Sequence, residues 1–184
     1  MALSKPIYNF LGFYFEQLFN HPLRTKSVTS SVIAGAGALT SQTLSGAPVN
    51  LNTVFAYAAF GAFCSGPFAH YFYETISRIV PDVRFKRILE FLLERSVFAP
   101  ILCALSLYFL TLLEGKSHDE ATKNLFKLYK SVLTANWRYL SLPVFLNFAY
   151  VPPMLRVFVG NLIGFFWVIY VADKRRRATA KKEK

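Results

Sequence analysis

The chain has 184 residues and a formal net charge of +11, with 54% hydrophobic, 17% aromatic and only 17% charged residues and a mean hydropathy of +0.34. A soluble domain carries about a quarter charged residues, spread so that amphipathic helices show a charge on almost every turn. Here the 47 residues 27–73 contain no Asp, Glu, Lys or Arg, and neither do 96–113 and 157–172. A helix needs ~20 apolar residues to cross a ~30 Å bilayer core, so this pattern excludes an ordinary soluble domain and reads as a multi-span membrane protein in contact with the lipid bilayer. Lys and Arg flank the apolar runs, as the positive-inside rule requires. They are not interleaved with polar residues on one face, so no nucleic-acid partner is expected.

In chain order, residues 1–24 read as an amphipathic helix, with Tyr8, Leu11, Phe15, Leu18 and Phe19 at helical spacing. It ends near Asn20-His21-Pro22, because proline disfavours helix in the residue before it. No short apolar core with a small-residue cleavage site is visible, so no secretory signal is expected, and Glu16 interrupts any acid-free presequence. A first span covers about 25–44. It is rich in small residues (Ser30, Ser31, Ala34, Gly35, Ala36, Gly37, Ala38) that let helix backbones approach closely in lipid. Residues 45–50 form a turn cluster. A strongly aromatic second span, 53–76, contains Gly66-Pro67, where a kink is expected. A basic connector follows, with Arg78, Arg84, Lys86 and Arg87.

The third span, 88–113, contains Pro100 and opens with Glu90, Glu94 and Arg95. In the polar stretch 114–138, Leu125, Leu128 and Val132 alternate with lysines 116, 123, 127 and 130, which predicts an interfacial amphipathic helix over 118–135. Residues 137–150, broken by Pro143 and ended by Pro152-Pro153, read as a re-entrant segment or a short extra helix. The fourth span, 154–172, contains Gly160-x-x-x-Gly164, a helix-contact pattern within or between subunits. Lys174-Arg175-Arg176-Arg177 stops transfer. The final Lys181-Lys182-Glu183-Lys184 matches a dilysine pattern that a basic tail produces easily by chance.

The expected fold is all-α: a polytopic membrane helix bundle with four transmembrane helices plus N-terminal and 118–135 amphipathic helices. It divides into the N-terminal helix 1–24, the bundle 25–172 and a basic cytosolic tail 173–184. Charge places both termini and the 78–87 connector in the cytosol and the uncharged 45–52 loop opposite.

No catalytic, metal or cofactor constellation is visible. The histidines are His21, His70 and His118, the isolated Cys64 and Cys103 have no metal-site or redox spacing, and there is no Walker loop or dinucleotide fingerprint. Polar groups in the spans are therefore the candidate site. Thr29, Ser30, Ser31, Thr40, Ser41 and Gln42 offer hydroxyls and an amide on the first span. His70 and Glu74 share a helix face and read either as a patch lining a solute path or as an interfacial pair. Glu94 and Arg95, adjacent and so pointing apart, read as bundle-fixing or transport groups that reach other helices. Asn147 and Asn161 lie at or within the last span, and Arg156 at its start reads as a snorkelling residue. Trp137, Trp167 and Tyr170 fit an interfacial belt.

Several segments together resemble a known family. Asn136-Trp137-Arg138, Asn147-Phe148, Tyr150-Val151-Pro152, Arg156, Trp167 and Tyr170 are similar to the C-terminal signature of the Mpv-seventeen/peroxisomal membrane protein 2 family. His21 to Lys26 with Thr29, Gly37 and Gln42 resembles its first span. Gly61, Gly66-Pro67, His70 and Phe72-Tyr73 resemble the second. Glu94-Arg95, Val97 to Pro100 and Leu113 to Lys116 resemble the third. The likeness covers about residues 8–172. It departs where the family often has Gly-Asp (here Gly37-Ala38), an Arg opening span two (here Ala56) and a Trp-Pro and Gln pattern (here Leu140, Pro143 and Val144). The resemblance implies four membrane helices, a channel for small metabolites in the peroxisomal membrane, a homo-oligomer, and delivery by a peroxisomal membrane-protein import receptor that would read the N-terminal helix and residues 84–87. Relatives in the mitochondrial inner membrane supply the alternative location, and a non-conducting scaffold supplies the alternative function.

Overall fold

The computed structural model describes the backbone of residues 5–46 and 48–180, and the chain there is all-helical. Residues 181–184, with the dilysine pattern, lie outside the described residues. Six long helices follow one another. α1 is Lys5–Asn20 and α2 is Pro22–Leu44. α3 spans 51–79, as Leu51–Phe60, a π turn Gly61–Ser65, and Gly66–Ile79. α4 is Lys86–Leu113 with a π turn at Glu94–Phe98. α5 is His118–Tyr150 and α6 is Arg156–Ala180. By length and composition alone, Lys86–Leu113 and Arg156–Arg177 are able to cross a membrane.

Local chemistry sets the boundaries. Pro22 occupies the first turn of α2, where a missing N–H costs nothing. The Asn50 side chain accepts from the Thr53 N–H and caps α3, while Gln42 braces the same turn through the Asn50 backbone. Gly46 adopts the left-handed conformation (φ 64°) that closes the 45–50 turn. The prolines within α3 and α4 sit just after a π turn. Gly66 N donates to Gly61 O ahead of Pro67, and Ala99 N donates to Glu94 O ahead of Pro100. The wider turn absorbs the lost proline donor, so α3 and α4 continue through Pro67 and Pro100.

One expectation is corrected by α5: residues 137–150 are not a separate segment but continue the 118–135 helix into one helix of 33 residues with Pro143 inside it. Its inner stripe, Ala121, Leu128, Val132 and Ala135, is buried, with Leu128 and Val132 against Cys103 and Leu107 of α4. The lysines that suggested an interfacial helix occupy the opposite, exposed face.

The helices α2 to α6 close a ring. α2 packs on α3 and α6, α3 on α4, α4 on α5, and α5 on α6. Successive helices alternate in direction, and with five members the last runs parallel to the first. Ser30 meets Asn161 and Ser41 meets the Ile169 carbonyl, in matching order. One end of the ring gathers the start of α2, the 80–85 connector and the start of α6; Lys26 lies 3.2 Å from His70, and Arg156 pairs with Glu90. The other end gathers the 45–50 turn, Glu114 and Arg175. Within the ring, the start of the basic tail therefore sits at the end opposite the 78–87 connector, whereas four alternating helices would have placed the two at one end. The reason is parity: the uncounted long helix α5 reverses the chain once more.

α1 packs along α2 at the first end, where Tyr14 lies 5.4 Å from Phe158 between ring centroids. Leu18 of its apolar stripe is buried and Phe19 exposed, while the side chains of Tyr8 and Leu11 lie outside the described residues.

Close approach of α2 and α3 depends on glycine. A Cβ at Gly61 would fall 2.5 Å from the Ser30 carbonyl oxygen, and one at Gly66 would fall 2.8 Å from Ser27 Cα. Both contacts are with backbone, which cannot step aside, and overpacking costs about 1–3 kcal/mol or more. Gly66→Leu should insert into membranes yet lose the single symmetric peak of wild type on gel filtration in detergent. A wild-type elution profile would refute the close-contact account. Gly37 meets Val168 of α6 in the same way, at 2.9 Å from an added Cβ.

Candidate functional site: a polar cavity inside the helix ring

The ring encloses a cavity of about 160 Å³. All five helices line it: Ser30 from α2, Tyr57 and Tyr73 from α3, Glu94, Arg95 and Cys103 from α4, Asn136 and Asn147 from α5, and Gly160, Asn161, Gly164 and Trp167 from α6. Its walls are otherwise aliphatic and aromatic. Tyr73, Phe98 and Phe148 pack ring against ring at the first end, the Tyr73 centroid lying 5.7 Å from that of Phe98 and 5.7 Å from that of Phe148.

Three ion pairs organise the polar groups. In the first, Arg95 grips Glu94 with Nε and Nη2, the latter at 2.6 Å from Oε1, and reaches Asn136 Oδ1 with Nη1 at 3.0 Å. Sequence reasoning expected these neighbours to point apart, as on an α-helix. They lie on the π turn, whose extra residue narrows the angle between adjacent side chains, and both are buried. Trp137 Nε1 donates to the Arg95 carbonyl at 2.9 Å, so this indole braces the π turn instead of serving only as an interfacial anchor.

The second pair lies one turn nearer the first end. Arg156 Nη1 is 2.6 Å from Glu90 Oε2, with the two side chains 8% and 2% exposed. Arg156 also lies over the Phe148 ring, 4.9 Å from its centroid, and Asn147 Nδ2 donates to the Arg156 carbonyl. Arg156 is thus locked in the bundle and does not snorkel. A membrane interior tolerates such charges only when they are paired inside the protein.

The third pair closes the other end. Arg175 holds Glu114 in a bidentate grip at 2.7 and 3.0 Å and also donates to Thr111 Oγ1 and the Tyr57 hydroxyl. Tyr57 links this cluster to the cavity wall.

The cavity gathers Ser30, Glu94, Arg95, Asn147 and Asn161 of the expected polar residues, and Thr29, Ser31, Thr40, Ser41, Gln42, His70, Glu74 and Arg156 lie outside it. Thr29 returns its hydroxyl to the Thr25 carbonyl. Gln42 braces the turn. His70 sits between Lys26 and Glu74, and Glu74 pairs chiefly with Arg78 on the outer surface. Arg156 lies beneath the cavity in its pair with Glu90.

Of the packing residues, Gly160 and Gly164 make no close helix contact within the chain. A Cβ at Gly164 would meet nothing within 4 Å, and one at Gly160 would meet only Asn147 Nδ2, at 3.8 Å. The Pro152 carbonyl accepts from Leu155 N in the turn before α6. Trp167 stacks on Tyr170.

Sequence reasoning did not single out Glu90, Glu114, Tyr57 and Arg175. The signal for Glu90 was present, since it lies four residues before Glu94 and so on the same face of one span. Arg175 was hidden within a basic run that reads as a solvated tail.

The model of the Mpv17 / PMP22 family matches residues 111–172, which run from the end of α4 through α5 into α6. The chain is 29% identical to Peroxisomal membrane protein 2 of Bos taurus over 172 residues, 89% of this chain and 88% of that protein. It is 30% identical to PXMP2/4 family protein 3 of Dictyostelium discoideum, across 89% of this chain and 91% of that one. It is 28% identical to Peroxisomal membrane protein PMP22 of Arabidopsis thaliana, across 97% and 96%. No solved structure matches the chain. These relatives align with essentially the whole helix ring as well as the C-terminal portion that the family model covers, and the chain belongs to the Mpv17/PMP22 family of membrane proteins.

Proposed function

We propose that the chain is an integral protein of the peroxisomal membrane that passes small hydrophilic solutes through the interior of its helix ring. The observation that carries this reading is the cavity within the ring to which all five helices contribute polar side chains. A scaffold needs no such convergence. The outer surface supports it from the other side. Val28, Val32, Phe55, Phe63 and Phe166 are all more than 60% exposed, as lipid-facing residues are. Each of the five ring helices has 23 or more residues, ~35 Å or longer at 1.5 Å per residue, so each matches a ~30 Å core in length, and Lys86–Leu113 and Arg156–Arg177 match it in composition as well. The peroxisomal assignment rests on the names of the relatives, and N-terminal and 84–87 basic segments are the candidates for recognition by an import receptor.

The interior path carries no ring of like charge, because Glu94 and Arg95 cancel, so it favours neither cations over anions nor anions over cations. A second reading is favoured by one surface. Lys123, Lys127, Lys130 and Arg138 are exposed on the outer side of α5, where each charge facing acyl chains near mid-membrane would cost about 3 kcal/mol. Assembly into a homo-oligomer would turn this stripe toward a water-filled space between subunits. The path would then run between protomers and favour anions.

Purified protein added to planar bilayers should give discrete conductance steps and carry small metabolites while excluding nucleotide cofactors. A sealed bilayer at high loading of correctly folded protein would sink the channel and leave a scaffold.

A further inference from the structure

Two polar atoms in the ring are buried with no protein partner: Asn147 Oδ1, an acceptor, and Asn161 Nδ2, a donor. Both residues line the cavity. Their other amide atoms are already used, and the Arg156 carbonyl, an acceptor only, fixes the orientation of the Asn147 amide. Asn147 Nδ2 donates to the Arg156 carbonyl at 3.0 Å, and Asn161 Oδ1 accepts from Ser30 Oγ at 3.0 Å. The unused acceptor and donor therefore belong to held side chains, and Asn147 is 2% exposed. Buried polar groups are almost always paired, and leaving one bare costs about 1–3 kcal/mol.

The charged lining of the cavity is electrically neutral. Glu94 and Arg95 pair with each other, and Arg95 also donates to Asn136. An entering anion or cation would have to break that pair or stay unneutralised in a low-dielectric interior, which is expensive. An uncharged molecule carrying both a donor and an acceptor meets neither penalty. The cavity, at about 160 Å³, exceeds the ~30 Å³ share of a single water several-fold. Gly164 keeps one wall open, since nothing lies within 4 Å of where its Cβ would stand.

We propose that the cavity is a binding site for small uncharged solutes bearing both donor and acceptor groups, polyols and amides, with Asn161 Nδ2 donating to the solute and Asn147 Oδ1 accepting from it. The proposal rests on the interior path as the place where solutes reside, and gives that path a substrate class and a stopping point.

The test is ligand-observed saturation-transfer NMR on the full chain in lipid nanodiscs, with glycerol, urea and glycolate as probes. Glycerol and urea should show saturation and compete with each other, and glycolate should show none. Asn161→Leu and Asn147→Leu should each weaken glycerol binding by about tenfold or more, the loss expected when one buried hydrogen bond is removed. Asn147 also braces the start of α6, so its variant is read only alongside Asn161→Leu and Gly164→Leu, which displaces no backbone and should abolish binding by filling the space. Glycolate bound as well as glycerol, or glycerol binding unchanged in Asn161→Leu and Gly164→Leu, would overturn the proposal. Binding without conductance would defeat the channel and leave this site standing. Conductance without glycerol or urea binding would do the reverse.

Discussion

In intact organelles, external protease should remove a tag from one terminus of this protein and leave the tag at the other. The ring has five members in alternating directions, so a chain that enters at one end leaves at the other. α1 and the start of α2 lie at the end where Arg156 meets Glu90. Arg175 and Arg176 reach Glu114 and the Ser45 carbonyl at the opposite end. The effect is all-or-none, because a folded tag does not cross a bilayer. Removal of both tags, or of neither until detergent is added, would contradict the five-helix crossing and restore an even count.

Arg156→Leu should be the most damaging single charge change. It strands Glu90, whose side chain is 2% exposed, without its partner. Breaking one side of a buried pair costs about 3–5 kcal/mol, a large part of the 5–15 kcal/mol that holds a typical domain together. The start of α6 also loses its contact with the Phe148 ring. The variant should melt far below wild type in detergent or fail to give a monodisperse preparation. The double variant Glu90→Leu/Arg156→Leu should recover most of the loss, since replacing both members of a buried pair by apolar groups is often nearly neutral. Thermal unfolding of the three proteins checks this. A single variant as stable as wild type would mean that the pair is solvated in the membrane.

The parts of the fold legible in the sequence are those written in turn chemistry. Pro22, the 45–50 cluster and the charge-free windows mark the ends of α1, α2 and α3 because proline, Asn50 and Gly46 act locally. What sequence could not supply is the partner of each face. The lysines of α5 announce an exposed side, and interface and bundle surface give the same three- to four-residue pattern. Only the packing of Leu128 and Val132 on α4 decides between them. Pro143 reads as a break because a proline costs a helix one hydrogen bond, yet α5 is held along both sides by α4 and α6.

The π turns were equally invisible. Glu94 and Arg95 were expected to diverge on α-helical geometry, and the extra residue in that turn brings them together. Arg156 looked like any basic residue at a helix start until Glu90, 66 positions away, supplied its counter-charge. Ser30, Glu94, Arg95 and Asn147 were marked from their chemistry alone, as polar groups in spans. Their meeting in one cavity depends on five helices closing a ring, which is a property of the whole fold.

The central claim is that solutes pass through the interior of the ring. Release of glycerol from proteoliposomes, compared between wild type and Gly164→Leu, tests it most directly. The added side chain points into open space beside the cavity and should leave folding intact. If the path runs inside, Gly164→Leu should reduce the flux to that of protein-free vesicles while its melting temperature and oligomer size stay at wild-type values. Undiminished flux from a normally folded Gly164→Leu protein would contradict the interior path and move it to the space between subunits.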